Sequence, residues 1–243
     1  LHHAYLFNGT RGIGKTTIAR ILAKSLNCEQ GISSKPCLTC SACQEIDVGR
    51  YVDLIELDAA SNTGVDNMID LLENAQYAPS SGRFKVYIID EVHMLSTSAF
   101  NALLKTLEEP PEHVKFIFAT TEIRKVPVTV LSRCQRFDLR RIEPEDMVGM
   151  LQRIAAGENA EIAEDALALI TRAAEGSARD ATSLLDQAIS HGAGETTVEQ
   201  VRAMLGLADR GRVLDLYQMI MHGNAAAALK ELGAQYAAGA DPM

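Results

Sequence analysis

The sequence predicts an α/β domain built on a parallel sheet with flanking helices, followed by a smaller all-helical region, and three observations carry that prediction. Short apolar runs alternate with stretches of helical periodicity as far as Leu139, the pattern of parallel strands joined by crossover helices. Gly9-Thr10-Arg11-Gly12-Ile13-Gly14-Lys15-Thr16 satisfies G-x-x-x-x-G-K-[ST] between one such run and one such helix, the strand–loop–helix setting of a phosphate-binding loop. Beyond Leu139 strand signals vanish and only helical segments remain.

Ala4-Tyr5-Leu6-Phe7 reads as a buried strand, and behind the loop Ile18, Ile21, Leu22 and Leu26 recur at helical spacing. The glycines let consecutive backbone N–H groups converge on phosphate at a positive helix end, Lys15 is placed to reach the β- and γ-phosphates, and Thr16 to ligate Mg²⁺. With Thr17, residues Gly9 to Thr16 form the expected ATP cradle.

Val52 to Leu57 reads as a strand, Val65 to Asn74 as a helix, and Lys85-Val86-Tyr87-Ile88-Ile89 as a strand ending in Asp90-Glu91. An apolar strand ending in two acids suits Mg²⁺ held by Asp90, usually through water, and an attacking water oriented and deprotonated by Glu91. Strands also end in solvated acids without function, but a complete phosphate loop upstream weighs against that reading. His93 follows in an Asp-Glu-Val-His run without a ligand partner four residues on, so it is read as a supporting or structural residue. The helix from Ser96 to Glu109 carries Phe100, Leu103, Leu104 and Leu107 on one face, with Ser96 as N-cap and Pro110-Pro111 as its stop. Val114 to Thr121 is the next strand, with hydroxyls at the carboxyl end where parallel α/β sheets bind ligands. Thr120 or Thr121 is placed there to sense the γ-phosphate or the attacking water, although a Thr pair at a strand end is also ordinary turn chemistry. Phe137-Asp138-Leu139 ends the strand signals, and helices are expected at Pro144 to Ile154, Ala163 to Ala174, Ala178 to Ile189 and Val198 to Leu205.

Cys28, Cys37, Cys40 and Cys43, four of the five cysteines, fall in one short window. Paired disulfides are disfavoured in an intracellular chain, whereas four thiolates at short spacing suit tetrahedral Zn²⁺ with no open position, hence a structural ion. The Cys37-x₂-Cys40-x₂-Cys43 run also matches part of an iron–sulfur spacing, and uncoordinated thiols are the third reading.

The 243 residues and 47% apolar content suffice for a real core. A net charge of −9 argues against coating nucleic acid by bulk attraction, so any DNA contact must be local. No apolar run approaches the roughly 20 residues of a membrane span and no secretory leader opens the chain, so a cytosolic, membrane-free protein is expected. A strand beginning almost at Leu1 and a helical pattern running into Ala237-Ala238 suggest a piece of a longer protein.

Asp90-Glu91-Val92-His93-Met94-Leu95, Leu103 to Pro111, Ala119-Thr120-Thr121 and Ser132-Arg133-Cys134, joined to a phosphate loop with a four-cysteine insertion, resemble the AAA+ clamp-loader ATPases. The resemblance runs closely from Leu1 to about Leu207 and more weakly beyond. It implies three regions: a nucleotide-binding domain over 1–142 with a zinc module at about 28–43, a helical lid over 143–206, and the start of a helical collar from 207. It further implies that Arg133 is an arginine finger presented to ATP on the adjacent subunit, where a surface loop arginine is the plain alternative. Gly176-Ser177-Ala178-Arg179-Asp180 resembles the family's sensor 2, implying that Arg179 reaches the phosphates of its own subunit's ATP; a capping or ion-pair role is the alternative. The implied activity is ATP hydrolysis that loads a sliding clamp onto primed DNA, within a ring of delta- and delta-prime-type subunits and copies of this one. No polymerase active site is legible. DNA contact would fall on backbone N–H groups near Ser96, Thr97 and Ser98, with Lys105 nearby. The family's adenine-seating segment would precede Leu1. Two other readings stay open: a helicase-like AAA+ remodelling motor, and a non-hydrolysing structural subunit, which the intact Lys15, Thr16, Asp90 and Glu91 disfavour.

Overall fold

Five strands pair into one all-parallel sheet in the computed structural model: β1 (Ala4–Asn8), β2 (Leu54–Asp58), β3 (Lys85–Asp90), β4 (Val114–Thr120) and β5 (Gln135–Asp138), in the order β2-β3-β4-β1-β5. Residues 1–61, 65–191, 196–206 and 210–237 are described. The three inner strands are buried along almost their whole length, because helices cover both faces. Edge strand β5 is exposed at all four residues.

Alternate side chains of the inner strands feed two cores. Leu6, Tyr87, Phe116 and Phe118 pack with Met68, Phe100, Leu103 and Leu107, from α3 (Val65–Ala75) and α4 (Thr97–Glu108). Tyr5, Phe7, Val86, Ile88 and Ile117 pack with Ala19, Ala23, Leu26 and Ile46, from α1 (Lys15–Asn27) and α2 (Ser41–Asp47). Aromatic rings stack across neighbouring strands, Tyr87 on Phe116 with centroids 5.5 Å apart. Ser96 caps α4 by accepting the Ala99 N–H at 3.2 Å, as its sequence position predicts. Strand β2 starts two residues later than expected, because the Leu54 N–H closes a turn onto the Tyr51 carbonyl at 3.1 Å. Helix α2 and the short α5 (Val128–Leu131) go beyond the elements that the sequence predicts; each is less than two turns long and leaves little periodicity to read.

The chain divides into two compact units, Leu1–Arg141 and Ile142–Met243. The second is all-helical: α6 (Pro144–Gly157), α7 (Glu164–Ala173), α8 (Ala178–His191), α9 (Val198–Met204), α10 (Arg210–Met221) and α11 (Ala225–Ala237). Met147, Leu151, Leu167, Ile170, Leu185 and Val201 form its core. A reciprocal capping box between Thr197 and Gln200 starts α9. Helices α10 and α11 pack on each other. The collar boundary expected at 207 and the terminal residues 238–243 lie outside the described residues. Among the described residues no helix is long and apolar enough to cross a membrane.

Candidate nucleotide site and four-cysteine cluster

The loop between β1 and α1 leaves the carboxyl end of β1, where the Gly9 N–H donates to the Thr120 carbonyl at the end of neighbouring β4 at 3.2 Å. Gly9 can only be glycine there, since a Cβ would come within 2.4 Å of Ile13 Cδ1 and 2.8 Å of the Leu139 carbonyl oxygen. Gly14 is the N-cap of α1 at φ +91°, a conformation that lets the chain turn directly into the helix. No side chain caps that helix start, so its positive end is left for an anion. Thr10, Arg11 and Thr17 are exposed around the loop, and Ile13 is buried beneath it. Lys15 is 94% buried and donates through Nζ to the carbonyls of Gly9 and Thr10, both at 3.0 Å. Burial lowers its pKa, while the nearby Glu91 and Asp90 carboxylates work against that shift.

The acids at the end of β3 reach this loop. Thr16 Oγ1 donates to Asp90 Oδ2 at 2.6 Å, which brings together the two oxygen donors expected to share a Mg²⁺. Glu91 sits in the left-handed region at φ +46°, its N–H held by Asp90 Oδ1 at 2.9 Å. Its own carboxylate is held by the end of β4: Oε2 accepts the Thr121 N–H at 3.1 Å and the Thr121 hydroxyl at 2.9 Å. His93 Nδ1 lies 3.3 Å from the same oxygen and 2.9 Å from Thr120 Oγ1. The structure therefore gathers Lys15, Thr16, Asp90, Glu91, Thr120 and Thr121 at one end of the sheet.

Arg133 is not among them. It follows α5 and donates to Glu108 Oε1 at 2.7 Å and to the Thr129 carbonyl at 2.6 Å, with about a third of its side chain exposed. Beside it, the fifth cysteine, Cys134, packs half-buried against the core of Leu6, Tyr87 and Phe116, and that burial pushes its thiol up to about 12. Arg179 belongs to the other unit, exposed in the first turn of α8, which Ser177 caps through the Asp180 N–H at 3.2 Å. Thr97, Ser98 and Lys105 are exposed on α4.

Cys28, Cys37, Cys40 and Cys43 bring their Sγ atoms within 4.8 Å of one another. Four thiolates around a tetrahedral ion at ~2.3 Å would stand roughly 3.8 Å apart, so a small contraction seats the ion and the donor set fits. The cluster is more than a loop: Cys28 ends α1, Cys40 is the N-cap of α2 and Cys43 lies within it. The Cys37 N–H points at Cys28 Sγ (3.4 Å) and the Cys40 N–H at Cys37 Sγ (3.3 Å). Backbone N–H groups of Thr39 and Cys40 lower Cys37 to about 6, whereas burial raises Cys43 to about 12.

A polar knot that sequence reasoning missed ties this cluster to the sheet. Arg83 donates to the carbonyls of Leu26 (3.2 Å), Cys28 (2.7 Å) and Glu29 (3.4 Å) at the end of α1. Asn27 Oδ1 accepts the N–H groups of Arg83 and Phe84, and its Nδ2 donates to the Phe84 carbonyl. Asp53, fully buried, accepts the N–H groups of Ser80, Ser81 and Gly82 at 2.6–2.7 Å. Burial alone would raise its pKa, but those N–H groups outweigh it and hold the carboxyl below its ordinary value. The readable signal was small: an acid in an apolar run, facing a Ser-Ser-Gly turn 27 residues on.

Known proteins resemble this chain along its whole length. The family model described as "DNA polymerase III, delta subunit" matches residues 1–143, the clamp loader subunit ATPase lid domain matches 146–194, and domain III of subunits gamma and tau matches 196–243. DNA polymerase III subunit tau of Escherichia coli is 58% identical over 92% of this chain and 35% of its own length. Subunit tau of Bacillus subtilis is 49% identical over 99% of this chain and 43% of its own. The chain thus spans well under half of either relative. Among solved structures, the RuvB Holliday junction branch migration motor of Thermotoga maritima aligns with a TM-score of 0.63, covering 96% of this chain and 74% of that one. At 19% identity that likeness is one of fold, and it bears out the AAA+ architecture.

Proposed function

The chain belongs to the clamp-loader subunits of DNA polymerase III, alongside gamma and tau, and from that premise we propose that it is the ATP-hydrolysing motor that loads a sliding clamp onto primed DNA. The observation that carries the reading is the 2.6 Å contact between Thr16 of the phosphate loop and Asp90 of the acidic strand end. An inert scaffold has no need to join those two groups. Gly9 to Thr17 cradle the triphosphate, and Lys15 turns from its own loop carbonyls to the phosphates. A Mg²⁺ bound between Thr16 and Asp90 would neutralise charge on the phosphate oxygens. Glu91 orients the attacking water and takes its proton, with Thr121 sensing the γ-phosphate.

Arg133 serves a neighbour's ATP, a reading supported by its partly exposed side chain and by its bonds to Glu108 and Thr129 rather than to the residues gathered at the phosphate loop; its bond to Glu108 must then be exchanged for phosphate on assembly. The role of Arg179 toward its own subunit's nucleotide is a proposal of the same kind, resting on the resemblance. Zn²⁺ at the four cysteines supplies cross-linking rather than chemistry. Delta- and delta-prime-type subunits, further copies of this chain, the clamp and DNA complete a cytoplasmic assembly. Ser98 and Lys105 are candidate DNA contacts. The reading is tested by ATP turnover of the full-length subunit, reconstituted with its partners, clamp and primed DNA. With Glu91→Gln, nucleotide binding should persist while kcat falls at least 100-fold, in line with general-base contributions of about 10²–10⁴. Unchanged turnover in that variant would remove the hydrolytic assignment.

A further inference from the structure

Glu91 offers its bonded oxygen to more than Thr121. His93, only 5% exposed at its side chain, sets Nδ1 3.3 Å from Glu91 Oε2 and 2.9 Å from Thr120 Oγ1, with Nε2 3.6 Å from Glu122 Oε1. Thr120 Oγ1 already accepts the Glu122 N–H at 3.1 Å, and a carboxylate has no hydrogen to give. With a hydrogen on Nδ1 both of that nitrogen's contacts are attractive. With Nδ1 bare, its lone pair would face a carboxylate oxygen. Glu91 itself is held at φ +46°, a strained backbone for a residue with a side chain, which persists only where surrounding contacts hold it.

We infer that His93 is a positioning residue for ATP hydrolysis, holding the Glu91 carboxylate against the end of β4 through its paired contacts with Glu91 and Thr120. The inference rests on the hydrolytic reading above and adds a residue to it. None of these contacts takes His93 to the phosphate loop. It fixes one oxygen of the base, so that the carboxylate leaves strand β4 in one orientation rather than several. Thr120 is the other half of the device: fully buried, with its hydroxyl between the imidazole and the turn at Glu122. Loss of such alignment costs rate rather than affinity, and misplacement by about 1 Å is worth on the order of 100-fold.

The test uses the full-length subunit in the reconstituted complex, with His93→Leu, His93→Asn and Thr120→Val. His93→Leu should lower kcat by about 10- to 100-fold while KM for ATP and the affinity for a non-hydrolysable ATP analogue stay within about twofold. Asn carries an N–H near the position of Nδ1, so His93→Asn should recover much of the loss. Thr120→Val should fall between wild type and His93→Leu. Combined with Glu91→Gln, His93→Leu should cost nothing further, because the residue acts through that carboxylate. Wild-type kcat in His93→Leu, equal losses in the Leu and Asn variants, or a rate loss that tracks loss of nucleotide binding would each overturn the inference. Should His93→Leu not fold, His93→Asn and Thr120→Val decide it: retained affinity with reduced kcat in Thr120→Val supports it, and an unchanged kcat in both refutes it. If Glu91→Gln itself turns over at the wild-type rate, the hydrolytic reading fails first; if Glu91→Gln is dead and His93→Leu is not, only the role of His93 fails.

Discussion

The two ends of α1 are built for opposite charges. At the start, Gly14 turns the chain without a capping side chain, and the first helical residue is a buried lysine. At the finish, about 20 Å away at 1.5 Å per residue, three carbonyls are taken by the Arg83 guanidinium and Cys28 joins three more sulfurs. The helix dipole favours anions at the first end and cations at the second. One rod thus presents a start suited to the phosphate of the proposed function and a finish that takes the Arg83 guanidinium, and both follow from the direction of the chain. The ends differ in purpose as well. On the proposed reading the first serves a ligand that must come and go, whereas the second is cross-braced by Arg83 and belongs to the fold.

Breaking either end separates those purposes, and the largest effect belongs to the first. Lys15→Ala should lower ATP turnover by about 10²- to 10³-fold, the scale of losing a charged transition-state donor, with a melting temperature at or above wild type because a desolvated cation is removed. Removing the metal should act the other way. At a thousandfold excess over its dissociation constant a bound ion contributes about 4 kcal/mol. A chelator should therefore lower the melting temperature by roughly 8–16 °C for a chain of this size, and metal analysis of the native protein should return zinc rather than iron.

Asp53→Asn ranks next, at about 2–4 kcal/mol, since a buried acceptor of three N–H groups loses its charge and part of its bonding. It also carries a pH signature. A carboxyl held below its ordinary value stabilises the fold above that value, and the contribution is lost as pH falls through the lowered one. Acid melting curves of wild type should show this loss below about pH 4, and Asp53→Asn should flatten it. The smallest effect lies midway along α1, where Arg20 makes a bidentate pair with Glu56 at 2.7 Å in partly exposed surroundings. Arg20→Ala should cost under about 1 kcal/mol and leave both ends intact.

Much of the first end was legible, because its parts are local: a glycine pattern, a lysine and a threonine in eight consecutive residues, and an apolar strand closing on Asp90-Glu91. The clustering of four cysteines was equally plain, though not the helix that carries the last of them. What escaped reading is long-range polar pairing. Arg83 meets carbonyls more than 50 residues earlier, and His93 meets Thr120 27 residues later. Propensity and periodicity report a residue's own neighbourhood, so bonds that depend on which strands lie side by side stay silent until the sheet order is known. His93 illustrates the limit. The sequence marked it as supporting, and only the packing of β3 beside β4 says what it supports.

If this site hydrolyses ATP with an arginine from a neighbour, as proposed, two subunits crippled in different halves of the site should complement each other. Assemblies reconstituted with Lys15→Ala alone, or with Arg133→Ala alone, should turn over ATP slowly, the latter by about 10³-fold or more for a lost arginine finger. Assemblies containing both should recover measurable turnover, at interfaces where an intact phosphate loop meets an intact Arg133. Wild-type rates with Arg133→Ala alone, or a mixture no faster than its parents, would contradict the account.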